Sequence, residues 1–132
     1  MSFSETELTY LISQPLARLA TVAPDGTVQN SPVGFVVNTE LGTIDIGGFN
    51  LGRSKKYANI KVNPNVGLVI DDLVSRDPWT VRGIELRGSA EALADVDPPR
   101  PGMSRELIRV APRRIISWGI DQDRPGHRAR NV

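Results

Sequence analysis

The chain has 132 residues, a length typical of one domain, and its net charge of +1 gives it no bulk attraction for nucleic acid or membranes. It contains no cysteine, which excludes disulfides, thiol catalysis and cysteine-ligated metals. The first five residues lack a basic region and an apolar run, and no later apolar run approaches the length of a membrane span, so we expect a cytoplasmic protein without a signal peptide.

Two short helices are predicted. Ser4 and Glu7 form a capping box that begins the first helix, which continues to about residue 13. The second helix covers residues 54–62, with Ser54 as its N-cap. The apolar residues expected to face the core from these helices are Leu8, Leu11, Ile12, Tyr57 and Ile60.

The other regular segments are predicted to be short strands. Asp25-Gly26 is a strong hairpin signal between the first two strands, and Pro32 indicates that the second is bent or lies at an edge there. Residues 66–71 are apolar throughout and predict a strand buried on both faces, whereas residues 82–92 alternate and predict one exposed face. The predicted strands are 17–23, 29–38, 43–47, 66–71, 82–92, 106–110 and 115–120.

Closely spaced strands with hairpin turns predict a mainly β fold, an antiparallel β-barrel with short helices. Residues 1–121 form a single predicted domain, in which residues 72–78 are a polar loop and residues 95–102 a proline-rich irregular excursion. Residues 122–132 form a basic C-terminal tail, which we expect to be loose unless a ligand or partner orders it.

The segment from Gly47 to Asn59 carries the clearest functional signal. A glycine-containing loop leads into a helix whose start is surrounded by Arg53, Lys55 and Lys56, with Asn59 expected on the same side as the two lysines. Because a helix start exposes unpaired N–H groups and the positive end of the dipole, this pattern favours a phosphate site. Two alternatives stay open. One is an ordinary solvated basic helix, and the other is a nucleotide-binding P-loop with an arginine in place of its lysine.

No other part of the sequence carries a catalytic constellation. The one histidine, His127, lies in the tail, so we expect no metal site. Asp71-Asp72 follows a strand end, where functional carboxylates occur, but a pair of this kind forms a turn more often than it takes part in catalysis. Ser31 and Ser117 have no visible base partner, and the seven aromatic residues are not clustered on one strand as nucleic-acid binding would require.

Several segments together resemble a known family. They are L-A-T-V at 19–22, S-P-V at 31–33, R-S-x-K-x-x-N-x-x-x-N-P-x-V at 53–66 and R-I-I-S-W-G at 114–119. On these residues the chain resembles the pyridoxamine 5′-phosphate oxidase-like flavoproteins, which have an FMN-binding split β-barrel. It is most similar to their small actinobacterial branch that uses the deazaflavin coenzyme F420. The segment beginning at Arg53 is the most specific part of the resemblance.

The resemblance implies how a cofactor would be held. Arg53, Ser54 and Lys56 would hold its phosphate, the second strand would run along its ring system, and the third strand's end would flank the ring. Two tryptophans could reach the cofactor of a partner subunit. The implied cofactor-binding residues are Arg53, Ser54, Lys55, Lys56, Asn59, Ser31, Pro32, Val33, Gly34, Ile46, Gly47, Gly48, Trp79 and Trp118.

The resemblance also implies an F420(H2)-dependent oxidoreductase that transfers a hydride between F420 and a small organic acceptor. It implies a homodimer with the cofactor at the subunit interface and no nucleic-acid or membrane partner. Hydride transfer belongs to the cofactor, so no catalytic side chain is expected. The alternatives are an FMN-binding protein of the pyridoxamine phosphate oxidase type, for which the chain is short, and a non-catalytic carrier of flavin, F420 or haem.

Overall fold

Strands dominate the fold, as predicted. The computed structural model describes residues 2–132, and within that range neither helix is long or apolar enough to cross a membrane. A 3-10 turn, Leu51–Arg53, precedes the second helix. The elements are α1 Glu5–Ile12, β1 Leu16–Val22, β2 Val28–Gly34, β3 Val36–Asn38, β4 Thr43–Ile46, α2 Lys55–Val62, β5 Asn65–Arg76, β6 Trp79–Leu93, β7 Leu107–Trp118 and β8 His127–Asn131.

The sheet curls into a barrel because its two edge strands are halves of one bent segment. The strand order is β2-β1-β5-β6-β7-β4-β3, and only Phe35 separates β2 from β3. The predicted strand 29–38 is therefore two strands that meet at Phe35, and Pro32 lies in an edge strand, one of the two outcomes that its position indicated. Pro32 stays in register with Arg18 of β1, because an edge strand tolerates a residue without an N–H.

The barrel interior is filled from one face of each long strand. Ile84 and Leu86 of β6 are fully buried and the residues beside Leu86 are not, which confirms the predicted alternation. In β5, Leu68 and Ile70 are buried but Val69 between them is only partly covered. The prediction that this strand is buried on both faces was wrong, because an apolar residue on the outer face looks the same in sequence as a buried one.

Two segments that were predicted to be a loop and a turn belong to strands in the structure. The polar segment 72–78 mostly continues β5, and only Asp77 and Pro78 connect it to β6. The predicted break between the last two strands lies inside β7, where the register with β6 shifts at a bulge. A Cβ on Gly88 would lie 2.2 Å from the Ala111 carbonyl oxygen, so glycine is required for this close approach.

The C-terminal tail departs most from the sequence prediction. It was expected to be loose, but His127–Asn131 forms β8 and pairs antiparallel with β7. Arg130 reaches from β8 to α1, where its Nη2 donates to Glu7 Oε1 at 2.7 Å. The same Glu7 completes the predicted capping box with Ser4. The tail therefore joins the end of the barrel to the first helix.

We expect Arg130→Met to lower the free energy of unfolding by about 1–2 kcal/mol at neutral pH, as for a charged hydrogen bond that is partly exposed. Burial would raise the pKa of Glu7, but hydrogen bonds from Arg130 and Ser4 hold that pKa below its ordinary value of 4.5. Stabilisation from a depressed carboxyl pKa is present above the unfolded pKa and is lost as the pH falls through the folded pKa. The difference between the two proteins should therefore shrink as the pH falls below the ordinary Glu7 pKa of 4.5.

Urea unfolding at a series of pH values measures this difference. Arg128→Met is the matched control, because Arg128 is an exposed residue of β8 and has no ion pair within residues 2–132. The assignment of a stabilising Arg130–Glu7 ion pair would be contradicted if the Arg130 variant lost the same free energy of unfolding at every pH. An equal loss of stability in the Arg128 control would also contradict it.

Candidate functional site

The first turn of α2 is built to receive an anion. As predicted, Ser54 is the N-cap, and its Oγ accepts from the Tyr57 N–H at 3.3 Å and donates to the Leu51 carbonyl at 2.6 Å. The first bond of the helical ladder runs from the Ala58 N–H to the Ser54 carbonyl. The backbone N–H groups between the cap and Tyr57 therefore have no intrahelical acceptor and are free for a ligand.

Three cations surround this helix start. Arg53 and Lys55 are exposed and Lys56 is partly exposed, and none of them has an ion pair with another residue in the described range. Hydrogen bonding from Thr27, and to a smaller extent the Lys55 charge, lower the pKa of Asp25 in the β1–β2 turn. Unpaired positive charge at a helix N-terminus stabilises a bound anion.

The connection between β6 and β7, residues 94–106, shapes the loop before α2. We call this connection the strap. Ser104 Oγ donates to the Gly48 carbonyl at 2.9 Å, and Glu106 Oε1 accepts from the Gly52 N–H at 3.0 Å. The Leu51 N–H also donates to Ser104 Oγ at 3.2 Å, so the strap fixes the glycine-containing loop and occupies two of its N–H donors. An incoming anion is therefore expected to bind the free N–H groups at the start of α2, not those of the loop.

The two strand segments implied to flank a ring meet beneath the strap. Gly34, at the end of β2, and Gly47, just after β4, line one cavity of only about 20 Å³ together with Met103 of the strap, which packs closely over Gly47. A Cβ on Gly34 would meet nothing within 4 Å, so a ligand can approach this backbone closely. The side chains of Val33 and Ile46 are buried in the core, so only their backbone can reach a ligand.

One polar atom near these segments has no partner. The Oγ of Ser31, on β2, is buried without a hydrogen bond to any described residue, while the neighbouring Pro32 is exposed. A buried hydroxyl without a partner is rare in folded proteins because it loses its bonds to water. This hydroxyl and the free cations fit a polar, anionic cofactor lying along β2 and the start of α2.

Three of the implied residues lie elsewhere in the chain. Asn59 is buried and its Nδ2 donates to Thr21 Oγ1 at 3.0 Å, so it anchors α2 to β1 instead of lying with the exposed lysines as predicted. Trp79 is 71% exposed at the start of β6. Trp118 stacks on His127 with the ring centroids 5.8 Å apart. Neither tryptophan lines the cavity beneath the strap.

The pair Asp71-Asp72 has structural partners. Asp71 accepts from Arg18 at 3.1 Å, and Asp72 accepts from Arg82 Nε at 2.8 Å and from the Tyr10 hydroxyl at 2.7 Å. The Arg82 hydrogen bond is the largest contribution to a lowered pKa of Asp72. These bonds hold α1 and neighbouring strands together, in keeping with a structural role for the pair.

Sequence reasoning missed an ion pair beside the site, in which a buried aspartate meets a partly exposed arginine. Asp45 of β4 is 8% exposed and accepts from Arg109 Nε and Nη2 of β7, each at 3.1 Å. Asn38 and Thr43 also donate to this carboxylate, at 3.0 and 2.9 Å. Asp45 lines the small cavity with Gly47, so the pair supports the implied ring segment. The available signal was an acidic residue inside a short, otherwise apolar strand.

Known proteins match this chain over most of its length. The sequence pattern of the family described as pyridoxamine 5′-phosphate oxidase matches residues 4–129. A Streptomyces rimosus protein, 5a,11a-dehydrotetracycline/5a,11a-dehydrooxytetracycline reductase, is 44% identical over 124 residues, which cover 93% of this chain and 87% of that protein.

Solved structures agree with this assignment. An F420 reductase is 27% identical with a TM-score of 0.60, covering 80% of this chain and 92% of that one. The conserved hypothetical protein Rv2991 from Mycobacterium tuberculosis shares the fold at 22% identity, with a TM-score of 0.71 and coverage of 94% and 90%. From the family match and the reductase relative together, the chain belongs to the pyridoxamine 5′-phosphate oxidase family and is an oxidoreductase.

Proposed function

We propose that this protein is an F420H2-dependent reductase that passes a hydride from the deazaflavin to a small oxidised organic acceptor. The observation that carries the proposal is the start of α2, where Arg53, Lys55 and Lys56 have no ion pairs within residues 2–132 and lie beside free N–H groups. The similarity to a dehydrotetracycline reductase and to an F420 reductase supports the proposal. An enone-like or quinone-like acceptor is the class we expect.

Each part of the site has a role in this proposal. Arg53, Lys56 and the helix start hold the phosphate, because charge-assisted hydrogen bonds to phosphate are strong. The backbone of residues 31–34 and 46–48 carries the ring, and the strap shields one side of it from water. F420H2 supplies the hydride when bound and becomes F420, while the acceptor gains that hydride and one proton.

The wider distribution of charge favours F420 over FMN. Beyond the phosphate that both cofactors carry, F420 has a lactyl and oligoglutamate chain that is strongly anionic. Arg124 and Arg128 are exposed and have no ion pairs within residues 2–132. They lie beside the start of α1 and not at the start of α2, so we expect them to meet only the far end of such a chain. Arg130 is not free to meet the anionic chain of F420, because it is bound to Glu7.

We also expect a cytoplasmic homodimer with the cofactor at the subunit interface. An exposed apolar patch at the β5–β6 hairpin supports this, because large exposed patches of this kind mark interaction surfaces. Burial of the patch against a second copy would bring Trp79 towards the partner's cofactor. The large apolar side chains of the patch are Leu73, Val74, Trp79 and Val81.

Titration of the protein with F420 and, separately, with FMN tests the choice of cofactor through tryptophan fluorescence. Oxidation of F420H2 by a panel of enone and quinone acceptors tests the reaction, and sedimentation velocity tests the dimer. We expect tighter binding of F420 than of FMN, turnover with part of the panel, and a dimer. The reverse order of affinity supports the FMN alternative. Binding of F420H2 without oxidation by any acceptor supports a carrier.

A further inference from the structure

The groove between the end of α1 and β3 is a second candidate site. We propose that it is the acceptor site of this reductase and takes a largely apolar, polycyclic compound that carries an acidic group. This inference deepens the proposed function and rests on it.

The groove has the dimensions of a small-molecule site. Its volume is about 530 Å³, within the range of roughly 300–1,000 Å³ that is usual for ligand pockets. One wall is the end of α1 with Pro15, the other is formed by residues 35–37, and Arg100 of the strap lies at its edge. Three separate parts of the chain therefore converge on one elongated space.

The walls are apolar where a ring system would lie. Ile12 is 70% exposed and Val36 is 42% exposed, and both line the groove. Ile12 was predicted to face the core as part of α1, and its exposure is explained if its side chain contacts a ligand instead. Covering such surface is favourable by about 25 cal/mol for each Å² removed from water.

The edge of the groove carries a free positive charge. Arg100 is exposed and has no ion pair within residues 2–132, and no other cation lines this groove within that range. A planar guanidinium pairs well with a carboxylate or with the delocalised anion of an enol. The groove therefore favours an acidic, flat ligand over a neutral or basic one.

The groove adjoins the implied ring position. Phe35, Val36 and Arg100 line both the groove and the small cavity that contains Gly34 and Gly47. A compound in the groove would lie with one edge against the segment that carries the cofactor ring. That is the placement that hydride transfer requires, because the two reacting atoms must be in contact.

Calorimetric titration with tetracycline, in the absence of any cofactor, tests the groove. Tetracycline is an acidic four-ring compound and serves as a binding probe only. We expect Arg100→Gln to weaken binding about tenfold, as for the loss of one charged contact, and Val36→Trp to abolish binding by filling the groove. The control Arg105→Gln removes a cation of the same strap that is paired with Asp95, and should leave the affinity within about twofold.

The proposal is overturned if tetracycline does not bind, if both groove variants keep the wild-type affinity, or if the control loses as much affinity as Arg100→Gln. A second copy of the chain could instead cover the groove. In that case Ile12→Asp would convert dimers to monomers in sedimentation velocity and leave tetracycline binding unchanged, which also overturns the proposal. Because the titration contains no cofactor, a protein that binds tetracycline in the groove but does not bind F420 refutes the proposed function and, with it, the role of the groove as an acceptor site. What stands in that case is only that the groove binds an acidic, polycyclic ligand.

Discussion

Replacing Arg53 and Lys56 together by alanine is expected to weaken F420 binding by about 100-fold or more. Each charged hydrogen bond lost contributes about 1.5–3 kcal/mol, and 1.4 kcal/mol corresponds to a tenfold change in affinity. Neither side chain has an ion pair within residues 2–132, so the change should leave the fold intact. Tryptophan fluorescence titration gives the dissociation constant, and the unfolding midpoint shows that the variant is folded.

The matched control for this experiment is Lys61→Ala. It removes one positive charge from the last turn of the same helix, where Lys61 Nζ lies 4.9 Å from the centre of the Tyr57 ring. A charge at that end is remote from the helix start, so we expect less than about a twofold change. Equal losses in the two experiments would mean that α2 attracts the cofactor only through its overall charge. An unchanged dissociation constant in the double variant would refute the phosphate site.

Asp45→Ala is expected to lower the free energy of unfolding by about 1.5–3 kcal/mol, as for the loss of hydrogen bonds to a charged group, because the partly exposed Arg109 guanidinium loses its charged partner. The Asp45 carboxylate accepts from Arg109, Asn38 and Thr43, so its removal leaves several donors without an acceptor. Hydrogen bonding to Asp45 raises the pKa of Arg109, and the variant loses that contribution. An arginine side chain is ionised at neutral pH without it, so Asp45→Ala leaves the guanidinium charged and without its partner.

Urea unfolding measures this loss. Asp45→Asn keeps one acceptor oxygen and should lose less than the alanine variant. Arg87→Ala is the control for a solvent-exposed pair, since Arg87 bonds Glu85 with a 59% exposed side chain, and we expect a loss below about 1 kcal/mol. If Asp45→Ala costs no more than this control, the pair does not support the loop beside Gly47.

The features of the fold that depend on neighbouring residues were predictable. The Ser4–Glu7 capping box and the Ser54 N-cap are set within one turn of chain, and both form as predicted. Strand β8 was not predictable, because all five of its residues are exposed and carry no alternating pattern. It is held by pairing with β7 and by Arg130, which bonds a residue 123 positions earlier.

The candidate site likewise combines features set by neighbouring residues, which were predictable, with features that only the folded chain creates. Cations and a cap around one helix start form a local pattern, and the sequence alone pointed to it. The strap and the Asp45–Arg109 pair join residues 56 and 64 positions apart, and only the closed barrel brings them together. Asn59 lies one helical turn after the exposed Lys55, but the curled β1–β2 hairpin covers it. The helical periodicity of a sequence does not show which other element packs against a residue.

A crystal structure of the protein grown with F420 tests the central claim most directly. The account predicts that the phosphate lies against the Ser54 cap with Arg53 and Lys56 as ligands, and that the ring lies along residues 31–34. Phosphate density bound elsewhere on the protein, with the start of α2 in contact only with solvent, would contradict it.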